Sequence, residues 1–350
     1  MALGFPIIAD TNFIKLGIID DFASFIWTSR YYDAGDFELT VAVTENAAAW
    51  LKMGNYIMHS GDQTNIGIIE SIEADITEEQ SYRIIAKGRF LPSILSRRII
   101  AQQTQVTGPL ADGIYALINE AIIEPVIEAR RIDDFVIERS YEGEEQVDAQ
   151  YTGKNLLNII SDICLLNHVG FNVKRENDQF IFYLYKGTDR SYAQDENPHV
   201  IFSDRFGNLL SAQLLEDMTK KVTDVLVAGE GEGLDRKVVW VSNDEEPTGL
   251  NRFEKYSDSR NIRSNDGAVN DAQYMEQLME QGKEELTEYT SAFSGVVDFQ
   301  NVAYGRDIFL GDVCTVENSR LGAYVNARLV EVIESVNESG VYSILPTFGS

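Results

Sequence analysis

The feature that most constrains this chain is a period-two alternation of apolar residues that occurs near both ends and is missing from the middle. In residues 37–43, FELTVAV, Phe37, Leu39, Val41 and Val43 fall on one face and Glu38 and Thr40 on the other, the pattern of a half-buried strand. In residues 66–76 the same rule places Ile66, Ile68, Ile72, Ala74 and Ile76 together, and TEEQS at 77–81 turns the chain into a second strand, YRIIAKG, which reads as a hairpin. Residues 1–100 are thus expected to form one mostly antiparallel β unit. Its only helical hint is the alanine-rich stretch 45–54, stopped by Gly54. The last sixty or so residues return to strands at 295–300, 307–318, 323–336 and 341–346. In the third of these, Val325, Ala327, Leu329 and Ile333 alternate against Arg328 and Glu331, and NESG turns the chain.

Between the two β units the period changes. Residues 109–123 and 153–170 read as helices, the second through Leu156, Ile160, Ile163, Cys164 and Asn167, with Thr152 as N-cap and Gly170 as the stop. A hairpin follows around Glu176, Asn177 and Asp178, in which Phe180, Phe182 and Leu184 share a face. The acidic loop 142–148 reads as a solvated connector. Further on, a strand at 222–229 leads into a glycine-rich polar stretch. A long amphipathic helix follows, with Met275, Leu278, Met279, Gly282, Leu286 and Tyr289 on one stripe, expected to dock on a β surface. The fold class is therefore α+β and mostly antiparallel β. The expected domains are 1–100, a first barrel-like unit; 101–190, an α+β domain; 191–235 with 291–350, a second barrel-like unit; and 236–290, an insertion carrying the long helix. No tandem repeat at fixed period is present, but two β units separated in this way suggest a duplicated barrel.

Chain length and charge narrow the function. At 350 residues the chain has room for two or three compact units. Its 17 Phe, 16 Tyr and 3 Trp supply enough apolar surface for several small cores, which argues against disorder. With 29 basic against 56 acidic residues the net charge is −27, which repels phosphate and disfavours a nucleic-acid-gripping surface. Neither a signal peptide nor a membrane anchor is visible. Cys164 and Cys314 lie in apolar patterns and read as plain buried side chains.

No motif marks a catalytic, cofactor or metal site. His59, His168 and His199 are too far apart in sequence for zinc spacing, and no G-x-S-x-G elbow exists. GEGEG at 229–233 follows a strand as a phosphate loop would, but Glu230 and Glu232 would repel phosphate, and a flexible turn is expected. Arg83, Lys87, Arg89, Arg97 and Arg98 are the one cationic concentration. They read equally well as a solvated strand face or as a dock for an acidic partner.

Four strings, in order along essentially the whole chain, resemble the bacteriophage tail hub family: WTSRYYDAGDFEL at 27–39, AGEGEGLDR at 228–236, GDVCTVEN at 311–318 and ILPTFG at 344–349. This is the siphophage tail-associated protein, whose core is similar to the baseplate hub of contractile-tailed phages. The resemblance implies a structural protein with two tube-like split β-barrels per chain, so that a homotrimer presents six similar barrels to a six-fold tail tube. It implies a virion tail-tip or baseplate location after assembly in the host cytoplasm. The implied partners are a distal tail protein, a tape-measure protein and tail-tip or fibre proteins, with DNA passing through the lumen without specific binding.

The α+β domain would sit outside the barrel ring and the long helix near the second barrel. Matched residue by residue, Trp27, Arg30, Tyr31, Gly35, Phe37, Glu38 and Leu39 would organise the first barrel. Gly229, Gly231, Gly233 and Arg236 would shape the strand exit in the second. Many family members carry a C-terminal lysin or receptor-binding extension. This chain stops at Ser350, so wall cleavage is expected from a separate protein. The acidic bias reads as a phosphate-repelling channel lining or as a solubility device. Two other function classes remain open: a β-rich adhesin or carbohydrate-binding protein with a surface aromatic cluster, and a carboxylate-based glycan hydrolase.

Overall fold

The computed structural model describes residues 3–75, 82–243, 247–264, 270–287, 290–297, 302–320 and 322–349. The expected turn at 77–81, Ile76, Tyr289 and residues 298–300 lie outside the described residues. The fold is α+β and mostly β. One 13-stranded sheet contains both β units. They meet where Glu331–Val336 runs antiparallel to Phe25–Arg30. Among the described residues the strands of this sheet pair antiparallel except at Ile201–Ser203, which runs parallel to Thr315–Glu317.

Each β unit is built on a 14-residue strand, Asp62–Asp75 in the first and Ala323–Val336 in the second, and each returns into an 8-residue strand, Arg83–Phe90 and Tyr342–Gly349. Both long strands break register near the middle, between Ile69 and Ser71 and between Leu329 and Glu331. One extra residue in a strand exchanges its two faces. Accordingly Ile66 and Ile68 are buried in the core of the middle domain, whereas Ile69 and Ile72 pack into the core of the first β unit. The single face expected for Ile66, Ile68, Ile72 and Ala74 therefore ends at the bulge, and Ala74 is exposed. In the second unit the buried positions shift from Ala327 and Leu329 to Val332, leaving Ile333 half-buried.

The middle domain packs helices Leu110–Ile118 and Leu156–Leu166 on a small sheet formed by the hairpin Gly170–Glu176 and Gln179–Tyr185, with Phe135–Glu138 parallel to it. Asn177 and Asp178 both take positive φ, 49° and 62°, as a two-residue hairpin turn requires. The second helix is capped differently from expectation. Asn155 Oδ1 accepts the Leu157 and Asn158 N–H groups at 3.0 and 3.4 Å, whereas the Thr152 hydroxyl donates to the Tyr151 carbonyl. The helix stops at Asn167 and His168, the latter at φ 55°, and Gly170 already belongs to the next strand.

Asp224–Ala228, expected within the second β unit, is instead the centre strand of a separate three-stranded sheet between Val238–Ser242 and Glu254–Asp258. Helix Asp271–Glu285 packs on this sheet, burying Tyr274 and Leu278 against Val225, Val227 and Val241. Gly282 makes the approach possible, since a Cβ there would stand 2.5 Å from Val241 Cγ2. Met279, expected on the buried stripe, is exposed, and Tyr274 takes its place. No helix among the described residues is long and apolar enough to cross a membrane.

Candidate assembly site at the junction of the β units

The 27–39 string occupies the edge where the two β units and the middle domain meet. Trp27 is fully buried, with Phe90 4.4 Å and His59 4.9 Å from its ring, and its Nε1 donates to Asp62 Oδ2 at 3.0 Å. Phe37 and Leu39 alternate beside it in the same core. Gly35 lies against the Thr28 carbonyl and the Phe90 ring, where a Cβ would stand 2.2 and 2.5 Å away. Glu38 points the other way and pairs with Lys87 at 2.7 Å on the outer face.

Arg30 and Tyr31 cross between units. The Arg30 guanidinium bridges Asp36 in the first unit, at 2.5 Å, and Glu331 in the second, at 2.7 Å. Burial of this group opposes its charge, but the two carboxylates outweigh burial and raise its pKa. Tyr31 is fully buried and fits between Gly170 of the middle domain and Gly311 of the second unit; a Cβ on either would come within 2.3 Å of its ring. Its hydroxyl accepts the Gly187 N–H at 3.2 Å and has the His168 and Tyr185 carbonyls at 3.3 Å for its own proton. Arg328 lies over the ring, 5.6 Å from its centroid. One side chain thus touches all three units.

The 228–236 string is not part of this junction. Gly229 approaches Tyr274, where a Cβ would stand 2.2 Å from the phenol oxygen, and the Glu230 N–H donates to that oxygen at 2.7 Å. Gly231 and Gly233 take positive φ of 97° and 57°, conformations that glycine adopts without strain. Arg236 closes the loop by donating to the Gly229 and Ala228 carbonyls at 3.0 and 2.9 Å and pairing with Asp258 at 2.5 Å. The string organises the helix-bearing unit rather than the second β unit.

The remaining candidates are placed separately. His59 is buried, its Nδ1 accepting the Gly61 N–H at 3.1 Å; His168 faces the Tyr32 hydroxyl at 3.4 Å; His199 contacts the Gln194 carbonyl at 2.6 Å. Burial pushes the His59 and His168 pKa values down. Cys164 and Cys314 are buried free thiols in different cores. Among the described residues no group of three or more His, Cys, Asp or Glu side chains is arranged to hold a metal ion. The basic residues of the 83–89 strand are each paired, Arg83 with Glu338 at 2.5 Å and Arg89 with both oxygens of Glu70 at 2.8 and 2.9 Å, and form a solvated strand face.

Sequence reasoning missed the acidic partners. Asp62, Glu331 and Asp312 hold the junction, the last buried with Arg190 at 2.8 Å and accepting the Thr188 N–H at 2.7 Å. Asp312 lay inside a singled-out string, whereas nothing local marks Asp62 or Glu331 among 56 acidic residues.

The family model described as Siphovirus ReqiPepy6 Gp37-like protein matches residues 6–350. No curated protein matches the chain. The fold is similar to that of the tail protein from Neisseria meningitidis MC58, with TM-score 0.58 and 15% identity over 100% of this chain and 97% of that one. It is also similar to the prophage MuSo2 43 kDa tail protein from Shewanella oneidensis, with TM-score 0.56 and 10% identity over 98% of each chain. A third likeness is to the prophage tail protein gp18 from Listeria monocytogenes EGD-e, with TM-score 0.54 and 16% identity over 99% and 94%. At these identities the likeness is one of fold. The chain belongs to the siphovirus ReqiPepy6 Gp37-like family, and its fold is similar to that of phage and prophage tail proteins.

Proposed function

We propose that the chain is a non-enzymatic hub of the tail tip, acting as a homotrimer whose six β units close onto a six-fold tail tube. The observation that carries this reading is the matched pair of bulged 14-residue strands, each returning through an 8-residue strand, one in each half of the same sheet. Two similarly built β units joined by the Glu331–Val336 pairing and by Tyr31 give one subunit two like surfaces in a fixed relation. Three such subunits repeat those surfaces six times, and closure of the ring covers strand edges that would otherwise pair indiscriminately. Each unit is read as a split barrel in the assembled ring. The distal tail protein and tape-measure protein bind one side and tip or fibre proteins the other, and carboxylates lining the channel let DNA pass without adhering.

The test is negative-stain class averages of the full chain, alone and mixed with its distal tail protein. Three-fold rings with an open centre are expected; monomers in both samples would overturn the reading. A second reading, a glycan-binding tail protein, is favoured by one observation. Trp240 and Tyr256, exposed, flank Leu226 on the outer face of the small sheet, the kind of aromatic platform on which sugars stack.

A further inference from the structure

In a chain with 29 basic and 56 acidic residues, most arginines pair with a carboxylate among the described residues, but three without such a pair lie together. Arg98 Nε donates to the Arg130 carbonyl at 2.8 Å and Arg98 Nη1 to the Arg97 carbonyl at 3.0 Å, while Arg130 Nη2 donates to the Ile99 carbonyl at 2.5 Å. Among the described residues no carboxylate pairs with Arg97, Arg98 or Arg130. Of the other charged groups in these two segments, Arg131 pairs with Asp133 at 3.3 Å, Glu124 accepts from Asn119, and Glu128 is exposed. Burial and the charges of Arg130 and Arg97 depress the Arg98 pKa, the mark of like charges crowded without relief. Exposed aliphatic side chains adjoin them: Ile99 at 49%, Val126 at 82% and Ile127 at 60%. Arg83, Lys87 and Arg89, only a few residues earlier in the chain, are each neutralised by a glutamate. The cluster's lack of partners is therefore a local property.

We propose that Arg97, Arg98 and Arg130, with Ile99, Val126 and Ile127, form the cationic half of a head-to-tail contact between copies of this chain. The inference rests on the trimeric reading above and names the surface that would build it. A copy carrying net charge −27 is repelled by its neighbour over most approaches. An unneutralised cationic patch supplies an orientation in which that charge is attractive. A contact between two different surfaces also closes a ring by rotation, as a three-fold assembly requires. The exposed aliphatic side chains give the contact a desolvated centre, and the guanidinium groups find the carboxylates that their own chain withholds.

The test is the double variant Arg97→Glu, Val126→Asp, followed by sedimentation equilibrium at low and high salt. Both side chains are exposed and make no hydrogen bond among the described residues, so the variant is expected to keep its fold, which thermal melting checks. The wild type is expected at three times the 39.3 kDa chain mass at low salt. The variant is expected to dissociate at a concentration at least about tenfold higher. A variant that assembles like the wild type overturns the patch and leaves the hub reading standing. A wild type that is monomeric alone overturns the patch as a self-contact. If it forms no rings with its distal tail protein either, the hub reading falls with it. In a parallel titration with a roughly 20-base-pair duplex, lost affinity at unchanged mass would overturn the proposal and assign the cluster to phosphate.

Discussion

The strings at 27–39 and 228–236 stand out equally in the sequence, and the molecule uses them at different scales. The first sits where three cores meet: Trp27 in one, Tyr31 against glycines of the other two, Arg30 bonded across the seam. The second shapes one loop of a unit whose small core is formed by Val225, Val227, Val241, Ile262, Tyr274 and Leu278. A glycine-rich string with an arginine thus reports a tight turn and its closure, whereas an aromatic string interrupted by charges reports a junction. The comparison can be broken by substitution. Trp27→Ala removes a fully buried ring and its hydrogen bond to Asp62, and costs about 3–5 kcal/mol. Because the sheet continues from Phe25–Arg30 into Glu331–Val336, hydrogen exchange should accelerate in both β units. Faster exchange confined to residues before 100 would mean that the seam does not couple them.

Gly229→Ala tests the other side of the comparison with a smaller expected effect. The new Cβ would stand 2.2 Å from the Tyr274 hydroxyl oxygen, and overpacking of this kind costs about 1–3 kcal/mol. Exchange should quicken in Asp224–Ser242 and in helix Asp271–Glu285 while the 24–42 region stays protected. Loss of protection at Trp27 in this variant would show that the helix-bearing unit, despite its separate sheet and core, is coupled to the first β unit.

Much of this architecture was legible in the sequence because local rules governed it. The hairpin at 170–185 follows from alternation plus an Asn-Asp turn, and the long helix from its apolar stripe. The bulges were not legible, since a single extra residue at 70 or 330 leaves an apolar strand looking continuous while moving Ile72 and Val332 to the opposite face. The Asn155 cap was missed because the Thr152 hydroxyl is an equally good capping acceptor in composition; only backbone geometry distinguishes them. Membership of Asp224–Ala228 in a separate sheet depends on pairing with strands that follow it, which alternation within five residues does not encode. The pairing of Arg30 with Glu331, 301 positions away, is a tertiary fact of the same kind.

The smallest effect sharpens the comparison at the level of single protons. Around Asp62 the junction holds two groups whose titrations oppose each other. Burial depresses the pKa of His59 below its ordinary 6.5, with Asp62 only partly offsetting it. The unfolded chain therefore binds the proton more readily, and stability present above 6.5 is lost as pH falls toward the depressed value. Glu334 is displaced the other way: burial raises it above its ordinary 4.5, the Tyr342 hydroxyl at 2.7 Å resists, and Asp62 adds repulsion. Its contribution is fully present below 4.5 and is lost as pH rises through the raised value, so acidification strengthens the seam there while weakening the aromatic core beside His59. Urea midpoints measured from pH 8 to pH 5 should fall more gently in His59→Gln than in the wild type, with the remaining slope supplied by His168, which burial also depresses. They should fall more steeply in Glu334→Gln, which removes the opposing titration. Parallel curves for wild type and His59→Gln would mean that the imidazole beside Trp27 accepts its proton as easily folded as unfolded, and the dry aromatic junction inferred from its burial would have to be given up.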